Sequence, residues 1–265
     1  MDDTDPRAVQ AAYADADEPG AFFDLLAPVD VARREAADAP WTGDVAFYRG
    51  LAREHEPALE VGVGTGRVYL DLLAAGLDVD GIDRSAASLA RLCELAGERG
   101  LEPSVWLADA TRPGTTREYG LVYAPARVIN HLPTPSTLRG AFAAARDRLR
   151  PGGRFAFNTF VPGFEVVAEE YGEKQEREFT VDGVPYREVS VTRLTDELEQ
   201  VAHIERTLYR DGERVATRET PLALYPKRVL ELALETAGFS EWTLYGGFDR
   251  EPPSADRETV WIAEP

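Results

Sequence analysis

The sequence is short of several residues, and each shortage closes off a class of chemistry. A single cysteine, Cys93, has no partner for an internal disulfide and no companions for a thiolate zinc cluster. Its place in the helical run SLARLCELAG reads as packing. The three histidines, His55, His131 and His203, fall into no His/Asp/Glu spacing that suggests a metal site, so no metal is expected. No stretch approaches the ~20 apolar residues of a membrane helix. The opening MDDTDPRAVQ is acidic where a signal peptide is basic and then apolar, so a cytoplasmic protein without a membrane partner is expected. Lysine is confined to Lys174 and Lys227, and 29 Lys and Arg face 47 Asp and Glu, for a net charge of −18. Such a chain repels phosphate backbones, which argues against nucleic acid as a partner. Acidic excess with arginine as the main cation is the pattern of proteins that work in concentrated salt, where screening relieves self-repulsion. An acidic protein of a GC-rich genome has a similar composition.

What is abundant is apolar sequence in short, alternating runs. With 265 residues and 44% hydrophobic content the chain can bury one large core. Residues 1–54 read as a helical N-terminal extension, broken at Pro19-Gly20, Pro28 and Pro40 and carrying Tyr13, Phe22, Phe23, Trp41, Phe47 and Tyr48. The remainder, 55–265, reads as one α/β domain. Strands are expected at 58–61, 78–82, 104–108, 120–124 and 154–158, with helices at 66–75, 85–99 and 135–149 between them. Strands alternating with helices imply a parallel sheet with right-handed crossovers. From about 175 to 224 the pattern becomes an antiparallel β insert, with turns expected at Asp182-Gly183, Thr195-Asp196 and Asp211-Gly212. A helix from 226 to 237, stopped by Gly238, and strands at 242–246 and 259–263 close the chain.

The informative segment is LEVGVGTGR, residues 59–67, where a strand runs into Gly62, Gly64 and Gly66 and then into a helix. Such glycines bend the backbone sharply and let a ligand approach it at a helix N-terminus. The second strand ends in Gly81-Ile82-Asp83, which places a carboxylate beside the same crevice, where it can accept from ribose hydroxyls. A dinucleotide fingerprint needs glycine where this chain has Arg67, and no Tyr-x-x-x-Lys pair is present, so a nicotinamide oxidoreductase is disfavoured.

Glu60 ahead of the glycines completes E-x-G-x-G-x-G, which resembles the first motif of class I S-adenosylmethionine-dependent methyltransferases. That resemblance extends through Leu107-Ala108-Asp109-Ala110, APARVINHL at 124–132, LRPGGRFAFN at 149–158 and the closing strand pair. It implies a Rossmann-like seven-stranded, mostly parallel sheet whose last strand is antiparallel. It also implies S-adenosylmethionine as cofactor, with the glycine turn beside the methionine moiety, Glu60 on its amino group and Asp83 on the ribose. Asp109 and Ala110 would recognise the adenine amino group, with Arg84 near the adenine face and Ala124 lining the site at the fourth strand end. The insert is similar in placement to that of sugar N-methyltransferases, which implies a small-molecule acceptor and allows a homodimer.

His131, beyond the fourth strand, is the candidate base or hydrogen-bonding group, with a purely loop-holding role as the alternative. Tyr13 and Phe23 are candidates to close over the sulfonium, and Tyr171, Tyr225 and Asp249 to face the acceptor. A catalytically silent S-adenosylmethionine-binding protein, a sensor or scaffold, stays open as the second functional reading.

Overall fold

The computed structural model describes residues 27, 29–35, 43–160, 162–254 and 258–265. Its centre is a seven-stranded sheet built from β1 (Ala58–Val61), β2 (Val79–Asp83), β3 (Ser104–Leu107), β4 (Tyr119–Ala124) and β5 (Leu149–Phe160), with two strands from the end of the chain. A second sheet holds β6 (Lys174–Val181), β7 (Val184–Asp196), β8 (Val201–Arg210) and β9 (Glu213–Ala223) as an antiparallel meander. The chain then returns to the first sheet as β10 (Glu241–Tyr245) and β11 (Glu258–Glu264), giving the order β10-β11-β5-β4-β1-β2-β3. β11 runs antiparallel to both neighbours while the other pairs in this sheet are parallel, as the resemblance implied.

The central strands are mostly apolar because both faces are covered. Every residue of β1 and β4 is buried. One face packs Phe142, Phe155, Phe157 and Trp261 against helices Pro135–Asp147 and Lys227–Thr236. The other packs Tyr48, Tyr69, Leu70, Leu72 and Leu92 from helices Asp44–Glu54, Tyr69–Ala74 and Ala86–Glu98. Phe157 and Trp261 stack at 5.8 Å with both rings fully buried, each contributing ~1.5–3 kcal/mol by removal from water.

Local chemistry sets the helix starts. Ser85 Oγ accepts the Ser88 N–H at 3.0 Å and caps Ala86–Glu98. Thr134 and Thr137 form a reciprocal capping box ahead of Pro135. Three boundaries differ from the sequence reading by more than two residues. The helix after the glycine turn starts at Tyr69 rather than Gly66, since Gly66 adopts φ 87°, outside the helical region. β5 starts at Leu149, because Leu149 already pairs with Tyr119 and Pro151-Gly152-Gly153 bulges out before Arg154 pairs with Leu121. The middle turn of the meander spans 197–200 rather than 195–196: Asp196 still pairs with Val201, and its Oδ1 accepts from Leu198 N and Glu199 N. The six-residue helix Phe164–Glu169 was not foreseen. Cys93 is half-buried rather than fully packed, and burial raises its thiol pKa.

Asn130, in the 3-10 turn Val128–His131 after β4, holds the second sheet against the first. Its buried amide donates to Ala223 O at 2.7 Å, at the end of β9. On the other side Val29 and Ala32 pack against Phe179, Leu208, Tyr186 and Ala216 of the second sheet, while Asp30 accepts the Thr65 hydroxyl of the glycine turn at 2.8 Å. The meander is thus fixed from both sides over the C-terminal ends of the parallel strands, where ligands bind in such sheets. Among the described residues no helix is long and apolar enough to cross a membrane.

Candidate functional site

The parallel register brings the ends of β1 to β4 side by side, and with them the residues singled out in the sequence. Gly62 N and Val63 N donate to Ile82 O at 2.8 and 3.0 Å, which fastens the glycine turn to the end of β2. Gly62 has φ 75°, and a Cβ there would lie 2.5 Å from Val128 Cγ2. Only glycine fits both the angle and the space. Gly64 has φ 54° but faces open space, so its backbone is the accessible rim of the crevice. Gly66 closes the turn with its N–H on Val63 O at 3.0 Å.

Asp83 ties this rim together. Its Oδ2 accepts Gly64 N–H at 2.7 Å and its Oδ1 accepts Ser85 N–H at 2.8 Å. A carboxylate in this place is an acceptor for donors such as a ribose hydroxyl. Next along the sheet, Asp109 Oδ1 accepts from Thr111 N at 2.8 Å and Thr111 Oγ1 at 2.6 Å, while Arg84 Nε lies 3.3 Å from Asp109 Oδ2. Arg84 and Asp109 therefore meet at the edge of the crevice, both well exposed to solvent. Ala110 and Ala124 share the lining of a small apolar cavity with Val61 and Ile129, beneath the same strand ends.

Glu60 lies deeper. It is buried, the Tyr123 hydroxyl donates to its Oε2 at 2.6 Å, and burial raises its pKa to about 8 against the pull of that hydrogen bond. Arg67, noted in the sequence only as the residue that breaks a dinucleotide fingerprint, is clamped in a two-pronged ion pair by the fully buried Asp44, with Nη1 on Oδ1 at 2.8 Å. The Arg67 charge draws Glu60 toward ionisation and that of Asp44 opposes it. Tyr48, from the same helix as Asp44, stacks on Tyr123 at 5.3 Å.

Beyond β4 the backbone takes two successive left-handed residues, Ala126 (φ 55°) and Arg127 (φ 61°), rare for non-glycine residues. They aim Arg127 across β5 onto Glu258, with Nη2 on Oε2 at 2.7 Å and the guanidinium 4.4 Å from the Phe160 ring. Asn158 donates to Glu258 Oε1 at 2.5 Å and accepts the Tyr48 hydroxyl at 2.9 Å. None of Asp44, Tyr48, Arg127, Asn158 and Glu258 was picked as a site residue from the sequence. The one local signal was Arg67 itself, an arginine directly after a ligand-binding turn.

His131 ends the 3-10 turn, and burial together with the charge of Arg206 on β8 lowers its pKa to about 4. It is a neutral imidazole at physiological pH. Tyr225 donates its hydroxyl to Leu132 O, so it braces the turn from below. Tyr171 lies within the field of Arg127 and is half-buried, whereas Asp249 is exposed. His203 lies on the second sheet with Nδ1 2.8 Å from Glu219 Oε1, a pairing the sequence reading did not give it. Tyr13, Phe22, Phe23 and Trp41 lie outside the described residues. Among the described residues no group of three or more His, Cys, Asp or Glu is arranged to hold a metal ion.

The chemistry of this crevice is three carboxylates in a row over strand ends, one deep and two at the rim, beside an open glycine backbone. Residues 58–153, which hold all of them, match the family model described as a methyltransferase domain. Residues 58–153 carry a methyltransferase domain. No curated protein sequence matches the chain, but solved structures do. The CcbJ methyltransferase from Streptomyces caelestis is 23% identical with a TM-score of 0.67, covering 84% of this chain and 88% of that one. The sugar N-methyltransferase KedS8 from Streptoalloteichus is 20% identical with a TM-score of 0.70 and covers 94% of each chain. The amino pentose methyltransferase CalS10 from Micromonospora echinaspora, solved with S-adenosylmethionine bound, is 20% identical with a TM-score of 0.65, over 89% and 95% of the two chains. The acceptor set of the crevice fits S-adenosylmethionine: acceptors for an ammonium and for hydroxyls stand beside a backbone that a side chain would obstruct.

Proposed function

We propose that this protein transfers a methyl group from S-adenosylmethionine to a small-molecule acceptor held between the strand ends and the second sheet. The observation that carries the reading is the row Glu60, Asp83 and Asp109 at the ends of β1, β2 and just past β3, tied to the glycine turn through Gly64 N. Glu60 takes the methionine ammonium, Asp83 the ribose hydroxyls, and Asp109 with the Ala110 backbone the adenine amino group. Arg84 borders the base, Ala124 lines the site at the end of β4, and Gly62, Gly64 and Gly66 give the backbone its close approach.

When bound, the cofactor supplies a sulfonium methyl, which an acceptor lone pair takes in line as the carbon–sulfur bond breaks and its electron pair returns to sulfur. The chain's part is to align the acceptor and to exclude water. Neutral His131 suits a hydrogen-bonding role toward the acceptor better than that of a strong base, since a group with pKa about 4 holds an abstracted proton poorly at neutral pH. Tyr13 remains the candidate to cover the sulfonium from the extension 1–54. The insert at about 175–224 forms the roof of domain 55–265 and limits the acceptor to a small molecule. Nitrogen acceptors gain support from KedS8, a sugar N-methyltransferase. The acidic, arginine-weighted composition supports a salt-rich cytoplasm as the working medium.

Calorimetric titration with S-adenosylhomocysteine in concentrated potassium chloride, followed by an amine acceptor screen with S-adenosylmethionine for release of S-adenosylhomocysteine, tests the reading. Binding with turnover of an acceptor is expected. Binding without turnover across the screen would favour the silent binding protein, and binding of NAD instead would overturn the cofactor assignment. Asp83→Ala is expected to weaken cofactor binding by ~1–3 kcal/mol.

A further inference from the structure

Ala126 and Arg127 follow each other in the left-handed region, at φ 55° and 61°, and neither is glycine. Backbone of this kind is strained and persists only where surrounding contacts hold it. What holds it comes from the far end of the chain. Arg127 sets Nε and Nη2 on Glu258 Oε2 at 2.9 and 2.7 Å, with its guanidinium over the Phe160 ring. Glu258 opens β11 directly opposite Phe160, and in the next row the Thr159 and Thr259 hydroxyls meet at 2.8 Å, which fastens the register that places this carboxylate. The fully buried Asn158 donates to the same carboxylate and accepts the Tyr48 hydroxyl. The clamp is therefore built into the core rather than laid on the surface.

Directly after Arg127 the chain meets three parts of the site in four residues. Val128 lies against Gly62 of the glycine turn, so closely that a Cβ on Gly62 would fall 2.5 Å from Val128 Cγ2. Asn130 donates its backbone N–H to Arg127 O at 2.9 Å, and its side chain reaches Ala223 O at the end of β9 and Phe160 N on β5. His131 closes the 3-10 turn within the field of Arg206 on β8. A shift of this one turn would move the glycine turn, the end of β5 and the second sheet against one another.

We propose that Arg127 and Glu258 are positioning residues for methyl transfer: their ion pair fixes the turn 126–131, and through it the placement of an acceptor relative to the bound cofactor. The inference rests on the methyltransferase reading and adds two residues to that same site. Both act through the turn, without touching cofactor or acceptor. In-line transfer is sensitive to such placement, since a displacement of about 1 Å can slow a reaction on the order of a hundredfold.

The test follows the His131 imidazole by nuclear magnetic resonance against pH in the full chain with S-adenosylhomocysteine bound, with His131→Gln to assign the signal. In wild type the midpoint is expected at about 4. Glu258→Gln and Arg127→Met break the pair and are each expected to raise it by about one pH unit or more, as the turn loosens and water reaches the ring. Arg193→Gln breaks an ion pair on the second sheet, Arg193 with Glu205 at 3.3 Å, and is expected to leave the midpoint in place. With an amine taken from the acceptor screen, the two pair variants are expected to lose about tenfold or more in kcat while KM changes less than about threefold. Affinity for S-adenosylhomocysteine, measured first in every variant, reports folding and the cofactor site, and Arg127→Lys serves where Arg127→Met does not fold. Absence of cofactor binding or of all turnover in wild type would sink the methyltransferase reading and this role with it. Wild-type turnover, with either the His131 midpoint or kcat unmoved in both pair variants, would overturn the positioning role alone.

Discussion

Glu60 makes cofactor binding a proton-linked event. In the free protein it is buried beside Tyr123 with its pKa raised to about 8, mainly by loss of hydration. At pH 7 such a group is ~90% protonated. A methionine ammonium placed against it supplies the opposite charge that burial withholds, and its pKa should return toward the ordinary carboxylate range near 4.5. Binding of S-adenosylhomocysteine at pH 7 should therefore release ~0.9 proton.

The same shift fixes the pH dependence of stability. The folded pKa lies above the unfolded one, so the contribution of Glu60 to stability is fully present below about 4.5 and is lost as pH rises through about 8. The loss is on the order of 5 kcal/mol by linkage and should be largely abolished when cofactor is bound. Titration in HEPES and in Tris at one pH separates the proton term, since the observed enthalpy then differs in proportion to protons released. Glu60→Gln should bind more weakly, release no proton, and lose less stability between pH 5 and 9. A wild-type enthalpy independent of buffer would refute the argument, as would proton release that persists in Glu60→Gln.

Three further outcomes follow from particular contacts. Gly62→Ala should lower stability by ~1–3 kcal/mol and impair cofactor binding, because the new methyl overlaps Val128 and φ 75° is strained for alanine; chemical denaturation measures it, and Gly62→Ala with Val128→Ala should recover only the part due to overlap. Asp44→Ala strips the carboxylate from the Arg67 clamp and should cost ~3–5 kcal/mol in the same assay, with Glu60 ionising more readily once the opposing Asp44 charge is gone. His131, with its pKa lowered below the unfolded 6.5, contributes stability above pH 6.5 that is lost as pH falls through about 4. Its titration should therefore be absent from the rate profile above pH 5, and a kcat inflection near pH 6.5 that disappears in His131→Gln would contradict this neutral role.

Much of this protein was legible along the chain because its signals are local. The alternation of apolar runs with helical patterns marked the parallel strands and the helices between them, and β1 and β4 are near-continuous apolar stretches because both their faces are buried. Glu60, the three glycines and Asp83 fall within 24 residues, and the strand-turn-helix-strand unit that joins them has one right-handed way to close. Tertiary structure decided what lies far apart in sequence. Arg127 and Glu258 are 131 residues apart and meet only because β11 inserts antiparallel beside β5. Asp44 finds Arg67 across 23 residues because one helix packs over the glycine turn, which turned a residue read as a broken fingerprint into a buried ion pair. The register of β11 put Glu258 opposite Phe160, and a shift of one residue would have turned its carboxylate to the other face, away from Arg127.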